Sequence, residues 1–152
     1  MPELRERISK YLKNSFDVRY SKDEMILTAG SSQGILAALI AIINLGDEII
    51  VSEPTYICYV PDIEMCGGKA VVIPLSSDDG YKLTPELLKK YITKNIKAVL
   101  LSYPNNPTGA IMTKEDLELL TPIVKDNDLY VISDEIYAEL TYGKKHCLSI
   151  SI

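Results

Sequence analysis

The sequence predicts a doubly wound α/β domain, a mostly parallel sheet with helices on both faces in three layers, α/β/α. Three observations predict it. The strand-like runs EIIVS (48–52), AVLLS (98–102) and YVIS (130–133) are dominated by apolar residues rather than alternating. Such runs belong to parallel strands covered on both faces, whereas a half-exposed strand alternates apolar and polar residues. These runs alternate with helical patterns along the chain, the mark of repeated strand–helix units. No repeat, low-complexity stretch or flexible linker interrupts the 152 residues, a length that fits one domain or a piece of a larger one.

Each element has a local reason. Leu4, Ile8, Tyr11 and Leu12 form a stripe at helical spacing, so Pro2 to about Asn14 reads as an amphipathic helix. A short strand is expected at Met25–Thr28, broken by Gly30. Ser32–Leu45 is rich in Ala and Ile and reads as a mostly buried helix stopped by Gly46. Strand Glu48–Ser52 follows, then a helical stretch from about Tyr56 to Met65. Strand Ala70–Pro74 comes after the Gly67-Gly68 turn. Thr84 caps a helix whose first position is Pro85, where a missing N–H costs nothing. After strand Ala98–Ser102, Thr113 and Asp116 form a capping pattern that opens a helix reaching about Asn127. Pro122 lies inside that helix and is expected to bend or shorten it. Strand Tyr130–Ser133 and the segment DEIYAEL close the readable part.

In a doubly wound sheet, ligands bind beyond the carboxyl ends of the strands. Four strand ends deliver AGSSQG at a helix start, EPTY, YPNNPTG and DEIY to that one rim. AGSSQG offers free amides and two serine hydroxyls at the positive end of a helix, which suits a phosphate; ordinary N-capping by Ser31 or Ser32 is the alternative. Tyr56 is able to stack on a planar ring or simply to pack. Turn chemistry accounts for Pro104, Pro107 and Gly109, and for Asn105 and Asn106 it is an equal alternative to ligand binding. Asp134 ends a buried apolar strand, where a carboxylate is costly without a cation or a set of donors. Capping the next segment and holding magnesium are its other readings. YVISDE also resembles a Walker B strand, but no Walker A segment accompanies it.

Composition narrows the function further. Hydrophobic residues make up 47% and charged residues 24%, which excludes disorder. A net charge of -5 argues against a nucleic-acid surface, which needs a basic footprint. Cys58, Cys66 and Cys147 show no CxxC spacing, and one histidine, His146, reads as a surface residue. These exclude a disulfide scaffold, a zinc knuckle and a histidine-rich metal site, and they fit a reducing, cytoplasmic compartment. No apolar run is long enough to span a membrane, and the charged start is not a secretory signal.

GSSQG, EPTYICY, PNNPTG and SDEIYAEL, in this order and spacing, resemble the large domain of the class I/II aminotransferases. These are fold-type-I enzymes dependent on pyridoxal 5′-phosphate, and the resemblance is strongest to the aspartate and aromatic branch. It covers nearly the whole chain. It implies that Ser31 and Ser32 hold the cofactor phosphate and that Tyr56 stacks on the pyridine ring. Asn106 and Tyr137 would donate to the phenolate oxygen, and Asn106 would also sit near the substrate carboxylate. Asp134 would pair with the pyridinium nitrogen, with Asp134 and Tyr137 counted as catalytic. The substrates implied are an amino acid and a 2-oxo acid, and the assembly implied is a homodimer.

The same resemblance implies that residues 1–152 are a partial domain, the central part of the cofactor-binding large domain. The amino-terminal arm and small domain, the lysine that binds the cofactor covalently and the carboxyl-terminal domain fall outside it. Lys144 and Lys145 read as surface charges rather than that lysine. The chain alone is therefore expected to lack transaminase activity and to bind the cofactor weakly. A carbon–sulfur lyase or a non-catalytic cofactor-binding protein shares these motifs. Strands of the family's sheet are also expected to be missing beside Met25–Thr28, leaving unpaired edges.

Overall fold

The computed structural model describes residues 1–143 and 147–149. Lys144, Lys145 and His146, read as surface residues above, lie outside that range. Four parallel strands form one sheet in the order β2-β1-β3-β4. They are β1 (Glu48–Glu53), β2 (Lys69–Pro74), β3 (Ile96–Ser102) and β4 (Tyr130–Asp134). The helices are α1 (Pro2–Phe16), α2 (Ser31–Ile42), α3 (Tyr59–Met65), α4 (Pro85–Tyr91) and α5 (Lys114–Asp126).

Alternate side chains of the central strands feed two separate cores. Ile49, Val51, Ala98 and Leu100 pack with Ile35 and Leu39 of α2 and with Tyr59 and Ile63 of α3. Ile50, Val99 and Leu101 pack with Leu88 of α4 and with Leu117, Leu120 and Ile123 of α5. A strand sends successive side chains to opposite faces, so this division is the three-layer arrangement read from the sequence. From β1 the chain crosses to β2 on one side, then returns across the sheet to β3 on the other. The carboxyl ends of β1 and β3 therefore flank the point where the winding reverses, the place such a fold offers to a ligand.

Capping residues behave as their types predict. Thr84 Oγ1 accepts the Leu87 amide at 3.3 Å, and Thr113 and Asp116 form a reciprocal capping box at the start of α5. At the amino ends of the strands, Glu48 is buried. Its carboxylate accepts from Thr93 Oγ1 at 2.6 Å and from Lys69 Nζ at 2.9 Å. The Thr93 hydroxyl, with the Lys69 ammonium beside it, holds the Glu48 carboxyl below the usual carboxylate range. This pair ties together the starts of β1 and β2 and the approach to β3.

Three expectations are corrected. Met25–Thr28 is not a strand. Met25 has extended backbone angles (φ -119, ψ 134), but among the described residues the segment has no ladder partner, and Ile26 is 89% exposed. Extended backbone becomes a strand only by pairing. α2 is not mostly buried: only Ile35 and Leu39 are, and its opposite face is open. It ends at Ile42 because Ile43 turns extended and the Asp47 carboxylate accepts the Asn44 amide at 2.8 Å, closing a turn before Gly46 is reached. α5 runs through Pro122 to Asp126 without shortening. Pro122 and Glu118 both face solvent, so the carbonyl that Pro122 cannot serve is available to water.

Candidate active site

A cavity of about 150 Å³ lies at the carboxyl ends of the strands. Ser31, Ser32, Tyr56, Asn106, Asp134 and Tyr137 all line it, so the structure brings together all six residues singled out from the sequence. They come from four separate stretches of chain, which only the winding of the sheet makes neighbours.

Ser31 and Ser32 open α2. The residue before them, Gly30, takes a positive φ of 90°, a conformation that costs a side-chain-bearing residue, and no side chain caps this helix. Neither serine therefore serves as the N-cap, so this helix start, whose first two residues line the cavity, keeps amides that no side chain caps. Gln33 Oε1 takes the Ala29 amide just outside, at 2.6 Å.

Asn105 and Asn106 divide the roles that the sequence left open. Asn105 is buried and serves the turn. Its Oδ1 accepts the Thr108 amide at 3.2 Å and the Thr108 hydroxyl at 2.7 Å, and its Nδ2 donates to the Pro54 carbonyl at 3.3 Å. Asn106, held next to it by that turn, lines the cavity. Tyr137 arrives from the turn after β4, where Ala138 N–H bonds the Glu135 carbonyl at 2.9 Å.

Asp134 is 8% exposed. Its Oδ2 accepts the Tyr59 hydroxyl at 2.8 Å, and its Oδ1 accepts the Ile136 amide at 3.1 Å. Among the described residues no cation lies within ion-pair distance of it. The contrast with Glu48 is instructive. The buried carboxylate at the amino end of the sheet has its lysine, and among the described residues the one at the carboxyl end has none. A buried carboxylate with two neutral donors and no counter-charge is suited to a cationic partner brought in by a ligand.

Tyr59 and Ser102 also line the cavity, and the sequence reading missed both. The signals were present. Tyr59 stands three residues after Tyr56, a spacing that brings side chains together on a helical stretch. Ser102 is the β3 residue in register with Asp134.

Known proteins resemble this chain over nearly its whole length. Residues 1–151 match the family model described as aminotransferase class I and II. A probable N-acetyl-LL-diaminopimelate aminotransferase of Bacillus subtilis is 42% identical over 145 residues, which are 95% of this chain and 37% of that protein. An aspartate aminotransferase of Pyrococcus abyssi is 37% identical over 99% of this chain and 39% of its own length. Among solved structures, an aromatic aminotransferase from Pyrococcus horikoshii OT3 superposes over the whole chain with a TM-score of 0.96 at 35% identity, using 41% of that structure. An aspartate aminotransferase from Thermus thermophilus with maleate gives 0.94 at 34% identity. The chain thus spans about two fifths of the length of the relatives it matches.

Proposed function

The chain belongs to the class I and II aminotransferases, and on that premise we propose that it forms the cofactor-facing part of a pyridoxal-phosphate-dependent aminotransferase. The reaction moves an amino group from an amino acid, such as aspartate or an aromatic one, to a 2-oxo acid. The observation that carries the reading is the buried Asp134 carboxylate, without a cation among the described residues, in a cavity that also holds an uncapped helix start.

The donor set fits pyridoxal phosphate group by group. The amides at the start of α2, with the Ser31 and Ser32 hydroxyls, would bind the dianionic phosphate. Tyr56 would lie against the ring, and Asn106 and Tyr137 would donate to its phenolate oxygen. Asp134 would hold the proton on the ring nitrogen. Bound there, the protonated ring supplies an electron sink for the charge released when a substrate loses its α-proton. The work of this chain is to bind the phosphate, fix the plane of the ring and keep that one proton in place.

Among the described residues, no lysine lines the cavity. The group that binds the cofactor covalently in this family is therefore proposed to come from outside these residues, as are the remaining substrate contacts. Residues 1–152 would be the central part of the large domain. A homodimer in the cytoplasm is the proposed setting of the whole enzyme. No described helix is long and apolar enough to cross a membrane.

A spectrophotometric titration of the chain with pyridoxal phosphate tests this reading. The expected result is saturable binding of one equivalent, weakened by inorganic phosphate, with no stoichiometric adduct fixed by borohydride. Absence of saturable binding contradicts the cofactor site, and a stoichiometric borohydride-fixed adduct contradicts the missing lysine.

A further inference from the structure

The Tyr59 hydroxyl stands between two oxygens, Asp134 Oδ2 at 2.8 Å and Ser102 Oγ at 3.1 Å. A hydroxyl has one proton to donate and lone pairs with which to accept. The proton goes to the carboxylate, the charged and nearer acceptor. Ser102 Oγ–H then donates to Tyr59, so the bonds run in one direction, from Ser102 through Tyr59 to Asp134. All three residues are buried, Tyr59 at 1% exposure.

Burial, and the Asp134 carboxylate beside it, push the Tyr59 hydroxyl well above the ordinary tyrosine range, with the Ser102 bond acting against them. The group is therefore a fixed donor at any pH the protein meets. The ring of Tyr59 does separate work. It meets Tyr56 edge to face, with centroids 5.5 Å apart and planes at 69°. One residue thus touches both the aromatic and the carboxylate that line the cavity.

Resting on the cofactor reading above, we propose that Tyr59 is a positioning residue for the pyridoxal phosphate ring, acting through Asp134 and Tyr56. Its hydroxyl holds one carboxylate oxygen while the Ile136 amide holds the other, so Asp134 meets the ring nitrogen in a single orientation. The same bond favours the carboxylate–pyridinium pair over the neutral pair, because a donor to a carboxylate stabilises its charged form. Its ring sets Tyr56 against the face of the same ligand. Phenylalanine would preserve that packing and lose the hydroxyl's bonds to Asp134 and Ser102.

The test follows the proton on the ring nitrogen directly. Pyridoxal phosphate labelled with 15N in the ring is bound to the chain and titrated by NMR. In Tyr59→Phe, the pH at which the bound ring loses its proton is expected to fall by about one unit, roughly tenfold in proton affinity. Ser102→Ala, which removes the donor to Tyr59, is expected to move it less and in the same direction. Profiles of both variants that superimpose on that of the unsubstituted chain overturn the role of Tyr59 and leave the cofactor reading intact. Failure of the unsubstituted chain to bind the labelled compound overturns the cofactor reading, and this proposal with it. If Tyr59→Phe does not fold, as judged by circular dichroism, Ser102→Ala decides: an unchanged profile overturns the proposal.

Discussion

In Asp134→Asn, the ring nitrogen of bound pyridoxal phosphate is expected to lose its proton at a pH about 1–3 units lower than in the unsubstituted chain, since that is what an adjacent opposite charge contributes. The substitution keeps the shape of the side chain and one oxygen able to accept from Tyr59 or from the Ile136 amide. Affinity for the cofactor should fall only about tenfold, because the phosphate contacts proposed at Ser31 and Ser32 would be untouched. In the whole enzyme the same change would cost reaction far more than binding, since the ring without its proton is a poor electron sink. The ring-nitrogen 15N shift and a binding isotherm measure the two effects separately. A ring that stays protonated in Asp134→Asn would show that some other group supplies the counter-charge.

The largest effect on folding is expected from Ile50→Ala. Ile50 is fully buried on β1, between Val71 of β2 and Val99 of β3 in register. It belongs to the core shared with α4 and α5. Removing its outer carbons from a site walled by strands on both sides leaves a cavity that the backbone cannot close, at a cost of about 2–5 kcal/mol. That is a large share of the roughly 5–15 kcal/mol that stabilises a domain. The free edge should behave differently. Val131 on β4 is 43% exposed, and Val131→Ala is expected to cost less than about 0.5 kcal/mol. Urea denaturation of both variants checks the contrast. Similar losses at both positions would mean that β1 is not the packed centre of the sheet.

The parts of the fold legible in the sequence are those set by local chemistry. Continuous apolar runs marked β1 and β3 as covered strands, and Thr84-Pro85 and the Thr113–Asp116 pair marked helix starts within a residue. The errors arose where the outcome depends on a neighbour. Met25–Thr28 has strand composition, and Met25 has extended backbone, but among the described residues the segment has nothing to pair with. The apolar surface of α2 predicts a covering layer that the described residues do not provide.

The site shows the same division. Ser31, Ser32, Tyr56, Asn106, Asp134 and Tyr137 could be picked out because small, aromatic, amide and acidic residues at strand ends are unusual. Tyr59 and Ser102 carried weaker signals and were missed. A tyrosine in a helix and a serine closing a strand are unremarkable until the fold places them against Asp134. Turn chemistry alone did not separate Asn105 from Asn106, because adjacent asparagines differ only in which way the turn points them; the family resemblance chose Asn106.

The measurement that bears most directly on this account is a crystal structure of the chain grown with pyridoxal phosphate. The account predicts density in the cavity at the carboxyl ends of β1, β3 and β4, with the phosphate at the start of α2 and the ring nitrogen within hydrogen-bond distance of Asp134. A cofactor bound elsewhere, or seated in this cavity with its ring nitrogen turned away from Asp134, would contradict it.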